Sequence, residues 1–188
     1  MKKIVFILAA AMTVFAVSCN KEPNGGGENG DKSKPVTKTI SATLPNVKAA
    51  LVGEIVLWEP GDAISVFDGK SNNKFTMEEG SRSGAKASFT GKVAGDAEQL
   101  VAVYPYVSSA SFANGKVTGI IPSRQSPGNI SFDTSCFAAV GKVDGDAVTL
   151  KSAVSFVKVT LGSSQSTKNI SLSGNNGESV AGDFSVTA

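Results

Sequence analysis

Short apolar or alternating runs recur along this chain at intervals of about ten to fifteen residues, separated by turn-forming residues. They are Thr37–Leu44, Glu54–Trp58, Ala63–Phe67, Lys74–Met77, Ala85–Thr90, Leu100–Tyr104, Lys116–Ile121, Ala147–Leu150, Val154–Leu161, Asn169–Ser173 and Ser179–Val186. Each is strand-sized, and no window carries a long helical period, although Pro45–Val52 has room for one helical turn. Asn114-Gly115 between Ser111-Phe112-Ala113 and Lys116-Val117-Thr118 is the strongest hairpin signal. Asp68-Gly69, Asp144-Gly145 and Gly174-Asn175-Asn176-Gly177 mark further turns, and Pro60-Gly61 breaks the chain between two strands. In Val154–Leu161, residues Val157, Val159 and Leu161 share one face, while Val154 and Phe156 lie on the other with Lys158 and Thr160. Such a pattern implies either a bulge or partial cover on both faces. The chain is therefore expected to be all-β, a sandwich or barrel of antiparallel strands.

The amino terminus does not belong to that domain. Met1-Lys2-Lys3 is a positive n-region, Ile4 to Val17 is apolar apart from Thr13, and Ala16-Val17-Ser18 precede Cys19. This is the layout of a secretory signal, too short to span a bilayer, which needs roughly 20 residues. The segment resembles a bacterial lipobox, with Ala16 where Leu is commonest. The resemblance implies cleavage between Ser18 and Cys19 and lipidation of Cys19. Asn20 to Lys34 then reads as a flexible tether, with no large apolar residue. It would span about 20 Å root-mean-square. Lys21-Glu22 resembles the charged signals that send some lipoproteins to the outside of the outer membrane. The expected organisation is a signal peptide over 1–18, lipidated Cys19 and tether over 19–35, and one β domain over 36–188.

Charge follows the same division. The chain carries 18 basic and 16 acidic residues. Removing Lys2 and Lys3 with the signal leaves the two signs balanced. No basic surplus remains to argue for nucleic acid, and no cationic amphipathic helix for a membrane surface; the expected membrane link is the lipid alone.

Catalytic chemistry finds little support. The sequence has no histidine, which removes Ser-His-Asp and Cys-His arrangements and histidine metal sites. With Cys19 lipidated, Cys136 has no disulfide partner, and beside Phe137-Ala138-Ala139-Val140 it reads as a small buried hydrophobe. Asp62, Asp68, Glu78, Glu79, Asp96, Asp133, Asp144 and Asp146 mostly adjoin Gly or Ser, as turn residues do. Asp144 and Asp146 lack the further ligands of a calcium loop. No P-loop or GxGxxG is present. Neither cofactor nor metal is expected, and no catalytic residue is assigned. Aromatics can stack on sugar rings, so Trp58, Tyr104 and Tyr106 are candidate ligand-facing residues; for the lone Trp58 core packing is the competing reading.

Six motifs in order resemble those of fimbrillin-like lipoproteins of Gram-negative anaerobes. They are Trp58-Glu-Pro-Gly-Asp-Ala-Ile-Ser-Val-Phe67, Ala87-Ser-Phe-Thr-Gly91, Ala102-Val-Tyr-Pro-Tyr106, Ile121-Pro-Ser-Arg-Gln125, the pair Leu150–Leu161, and Leu172–Val186 with Val180-Ala-Gly-Asp-Phe184. The resemblance implies a transthyretin-like β-sandwich of Greek-key type at the surface of the outer membrane. It also implies a non-enzymatic role in adhesion or as a pilus subunit. The partners implied are other pilus subunits or host and bacterial surface ligands. Members usually continue into a second β domain, so this sequence, closing at Ser185-Val-Thr-Ala188, is expected to correspond to the first. Arg82 and Arg124 are the only arginines and neither directly follows the tether, so an arginine-specific protease is not expected to release an N-terminal donor strand. The alternative function is a glycan-binding outer-membrane lipoprotein of a sugar-uptake system. A hydrolase would need two acids about 5–10 Å apart in a cleft.

Overall fold

The computed structural model describes residues 34–44, 57–126, 133–157, 159–162, 166 and 168–188. The signal peptide, Cys19, the tether before Lys34 and most of the Pro45–Trp58 stretch lie outside the described residues. What is described is β structure with one 3-10 turn, Thr134–Cys136, and no α-helix. The strands are β1 (Pro35–Thr43), β2 (Ala63–Phe67), β3 (Asn72–Met77), β4 (Lys86–Ala94), β5 (Val101–Tyr104), β6 (Ser111–Ala113), β7 (Lys116–Ile121), β8 (Ala139–Lys142), β9 (Ala147–Thr149), β10 (Lys151–Ser152) and β11 (Gly182–Thr187).

Eight strands form one sheet in the order β10-β8-β5-β2-β3-β4-β1-β9. Its pairs are antiparallel except β1 with β9, which run parallel from Ser41 opposite Ala147 to Thr43 opposite Thr149. The two ends of this order are neighbours in sequence, because only Leu150 separates β9 from β10. A single buried residue thus links one sheet edge to the other, and the sheet is nearly closed. β8 and β9 approach so closely that a Cβ on Gly141 would lie 2.7 Å from the Thr149 carbonyl oxygen. Only glycine fits there.

Closure creates an interior, and alternate residues fill it. Ile40 and Ala42 of β1, Ile64 and Val66 of β2, Phe75, Phe89, Ala102, Tyr104, Ala139, Val148 and Leu150 make one buried cluster with Trp58. The opposite face of β2, β5 and β8 carries Phe67, Val101, Val103 and Val140. A three-stranded sheet, β11-β7-β6, covers that face with Val117 and the partly buried Phe112 and Val186. Cover on both sides explains why β5 is buried at every position. Each strand of the central region burying both faces is the sandwich-like element of this nearly closed sheet.

The turn chemistry acts as its residue types dictate. Asn114 and Gly115 both adopt positive φ, 52° and 73°, the two-residue turn whose twist suits a hairpin. Glu59-Pro60-Gly61-Asp62 closes with Asp62 N–H on the Glu59 carbonyl at 3.0 Å. Gly145 and Asp146 form the tight turn between β8 and β9, with Asp144 and Ala147 exchanging both backbone bonds as an isolated bridge.

Two expected strands are not strands. Val154–Leu161 and Asn169–Ser173 have no ladder partner among their described residues. At the end of β10 the Ser152 hydroxyl donates to the Val154 carbonyl at 2.7 Å, taking up a group that a strand would offer its neighbour. Val154 and Phe156 then tuck against the first core, with Phe156 stacked 6.0 Å from Phe137. The opposite face of the run is left in solvent. Conversely, Ala139–Lys142 is a strand that alternation does not reveal, since both its faces are covered.

Candidate functional site

The polar groups of the described residues serve mainly to hold turns. Asp68 is buried beneath the β2–β3 turn. Its Oδ1 accepts from the N–H groups of Lys70 and Ser71 at 3.0 and 2.7 Å. Its Oδ2 accepts from the Asn73 amide and the Ala94 N–H, both at 2.9 Å. Burial alone would raise its pKa, but these four donors hold the carboxyl below its ordinary value. Asp62 lies at the start of β2, where its Oδ2 accepts from Glu59 N–H at 2.8 Å and its Oδ1 from the Tyr104 hydroxyl at 3.2 Å. Burial lifts the Asp62 pKa above its usual range against the pull of those donors, with the Glu59 charge adding to the rise. Burial and the adjoining Asp62 carboxylate push the Tyr104 phenol strongly upward, so it stays protonated. Among the described residues no group of three or more His, Cys, Asp or Glu side chains is placed to hold a metal. Asp146 instead pairs with Lys38 at 3.0 Å. Cys136 is a buried free thiol whose pKa burial raises, 3.8 Å from the Ser135 hydroxyl.

The three candidate aromatics separate. Trp58 is 0% exposed, set edge-on against Phe89 and Tyr104 with centroids 4.7 Å away in each case. Its indole N–H donates to the Ala85 carbonyl at 2.8 Å, so both its apolar body and its polar tip are used internally. Tyr104 is also buried. Neither offers a ring to a ligand, which corrects their assignment as ligand-facing residues and bears out core packing for Trp58. Tyr106 alone is partly exposed, with Lys74 Nζ 5.4 Å from its ring centroid. Ser18 and Cys19 lie outside the described residues.

What the fold leaves available is strand edge and apolar surface. The edges of the large sheet, β9 and β10, are three and two residues long and are joined through Leu150. The small sheet ends in β6 and β11, each paired only with β7 among the described residues. β11 is six residues long and pairs along its whole length with β7, and among the described residues its other edge is an unpaired row of backbone donors and acceptors. Among the described residues, six of the ten exposed large hydrophobic residues lie between Val157 and Val180, just before β11. Val157 is 68%, Val159 51% and Leu161 47% exposed, and Ile170, Leu172 and Val180 are similarly open. Solitary exposed apolar residues are ordinary, whereas Val157, Val159 and Leu161 are exposed at alternate positions of one run. The alternation of Val157, Val159 and Leu161 was visible in the sequence; its lack of a ladder partner among the described residues was not. Compared with protein-family models, curated proteins and solved structures, the chain matches none.

Proposed function

We propose that this chain is a non-enzymatic lipoprotein of fimbrillin-like type, anchored through Cys19 at the surface of the outer membrane. It acts in adhesion or as a pilus subunit or accessory, through β-strand-mediated assembly. Within this reading the fold is a transthyretin-like, Greek-key sandwich. The observation that carries it is the six-residue edge of β11 together with the exposed alternating run Val157, Val159 and Leu161. An unpaired edge supplies main-chain hydrogen bonds and an alternating run supplies side chains for every second pocket, which is the physics of β-augmentation. The six ordered motifs from Trp58 to Val186 support the family assignment.

The glycan-uptake alternative drew on a face formed by Trp58, Tyr104 and Tyr106. With the first two in the core, that face does not exist. The test is to shear intact cells and run the released protein on a denaturing gel with and without boiling. A high-mass ladder that collapses on boiling is the expected result for a pilus subunit. Cell-retained monomer alone would defeat the pilus role and leave anchored adhesion.

A further inference from the structure

Directly opposite residues of an antiparallel pair exchange both backbone bonds or none, in alternation. The Ala188 N–H donates to the Gly115 carbonyl at 3.1 Å, in register with the β7–β11 ladder. Counting back by twos, Val186 and Phe184 turn their backbone groups to β7, while Asp183, Ser185 and Thr187 turn theirs to the free edge. We propose that this edge pairs with the same edge of a second copy, antiparallel and about a twofold axis through Ser185. The choice of partner rests on the reading of β11 as an assembly edge.

The other edges among the described residues are guarded. β6 and β9 are three residues long and β10 is two. The half of β1 that β9 does not reach carries Pro35 and Lys38. Short length, proline and lysine all discourage an edge from pairing. β11 has none of these guards. From Asp183 to Thr187 its ladder with β7 is unbroken, without proline, lysine or bulge, and Asp183 is its one charge. Gly182 stays out of the new pairing, because its φ of 103° departs from strand geometry.

Self-complementarity points to a second copy. Opposite residues of an antiparallel pair share a face. With Ser185 on the axis, Asp183 lies opposite Thr187 of the second copy, and Phe184 lies opposite Val186 of the second copy. Every free backbone group is then used, three donors from each copy, for about six hydrogen bonds. Phe184 and Val186 are half-buried, and they carry the apolar inner face across the join. Charge selects this register. Thr187 is the ladder partner of Lys116, so Asp183 of one copy shares a cross-strand row with Lys116 of the other. The two residues are two strands apart, about 10 Å between Cα atoms, and an extended lysine leaning over Thr187 reaches the carboxylate. Both side chains are exposed, and neither has an ion pair among the described residues. Within one chain Asp183 has Ile120 as its neighbour on β7. The twofold forms the pair twice. Moving the axis to Phe184 would put Asp183 in the row of Thr118 and lose both pairs. A twofold contact closes at two copies, so a longer assembly needs a further contact elsewhere.

The experiment is sedimentation equilibrium of the purified full chain in density-matched detergent. The expected result is a monomer–dimer equilibrium with a dissociation constant of order 100 µM, as suits a contact of one strand per copy. Ser185→Pro removes a free-edge N–H and no bond to β7, so it should abolish the dimer and leave the β7 amide spectrum unchanged. Asp183→Lys sets lysine against lysine and should weaken the dimer about tenfold. Adding Lys116→Asp to that variant should restore it. This charge exchange decides the matter by itself if the proline variant does not fold. A chain that stays monomeric to about 1 mM, or that passes directly to larger species, overturns the proposal. So does a dimer that folded Ser185→Pro leaves intact, or a charge exchange that restores nothing. A boiling-sensitive ladder from sheared cells beside a monomeric chain in solution keeps strand-mediated assembly and removes the twofold pair. A dimer in solution with no ladder keeps the twofold pair and defeats the pilus role.

Discussion

β1 and the run from Val154 to Leu161 carry similar instructions and meet different fates. In β1 the chain alternates to the end, with Ile40 and Ala42 inside and Thr39 and Ser41 outside, and it is paired on both sides, by β4 and by β9. In the later run Val157, Val159 and Leu161 alternate as regularly, yet they face solvent. Hydrophobic patterning specifies which face wants burial, but the burial itself must be delivered by a neighbour. β1 has two neighbours within the chain. The later run has none among the described residues, and that difference separates the part of the molecule that holds itself together from the part that is available.

The contrast can be broken most forcefully at Trp58. Trp58→Ala should cost about 3–5 kcal/mol in urea unfolding, by leaving a void between Phe89 and Tyr104. A loss below about 1 kcal/mol would mean the interior is not closed. Asp68→Asn is expected next, at about 2–3 kcal/mol near neutral pH, because an amide NH₂ would replace an oxygen that now receives N–H donors. Its pH dependence has a definite sign. Asp68 has a folded pKa below its ordinary value of 3.8, so its stabilisation is full above that value and disappears as pH falls through the folded pKa. Asp62 behaves oppositely. Its folded pKa is raised, so its contribution is present in acid and is lost as pH rises through that pKa. Asp62→Asn should therefore leave neutral stability unchanged or improve it, and a neutral-pH loss as large as that of Asp68→Asn would refute the assignment.

Gly141→Ala sharpens the closure itself. Overpacking against the Thr149 carbonyl should cost about 1–3 kcal/mol, measured as a shift in urea midpoint, since backbone rather than a flexible side chain must give way. The smallest effect is reserved for the open run. Val157→Ser with Val159→Ser should change monomer stability by no more than about 0.5 kcal/mol. Hydrogen exchange should agree, with β2 and β5 amides protected and those of 155–161 exchanging early. The same double variant should reduce any sheared-cell ladder. A large fall in monomer stability instead would place these valines in a core.

The legibility of the molecule divides along the same line. β2 and β7 match their sequence runs at both ends, and the Asn114-Gly115 hairpin has the geometry its residues demand, because such signals are local. The parallel pairing of β1 with β9 was not legible, since nothing in Ser41 or Ala147 names the other. β8 was missed because cover on both faces erases alternation. Trp58 was ambiguous because an indole suits a core or a platform, and only its neighbours decide. Asp68 was recognisable as a turn residue, but its bond to Ala94 N–H crosses to another strand.

Closure through Leu150 also sets a schedule. One side of β1 pairs with β4, which emerges soon after it, but the other side waits for β9. About a hundred residues separate the two strands, so their pairing closes a long loop. Until β9 pairs, β1 lacks its second neighbour at Ser41–Thr43. Long-range pairing of this kind also slows folding once synthesis is complete. The residue that finishes the sheet is thus the one that ends the chain's most vulnerable period.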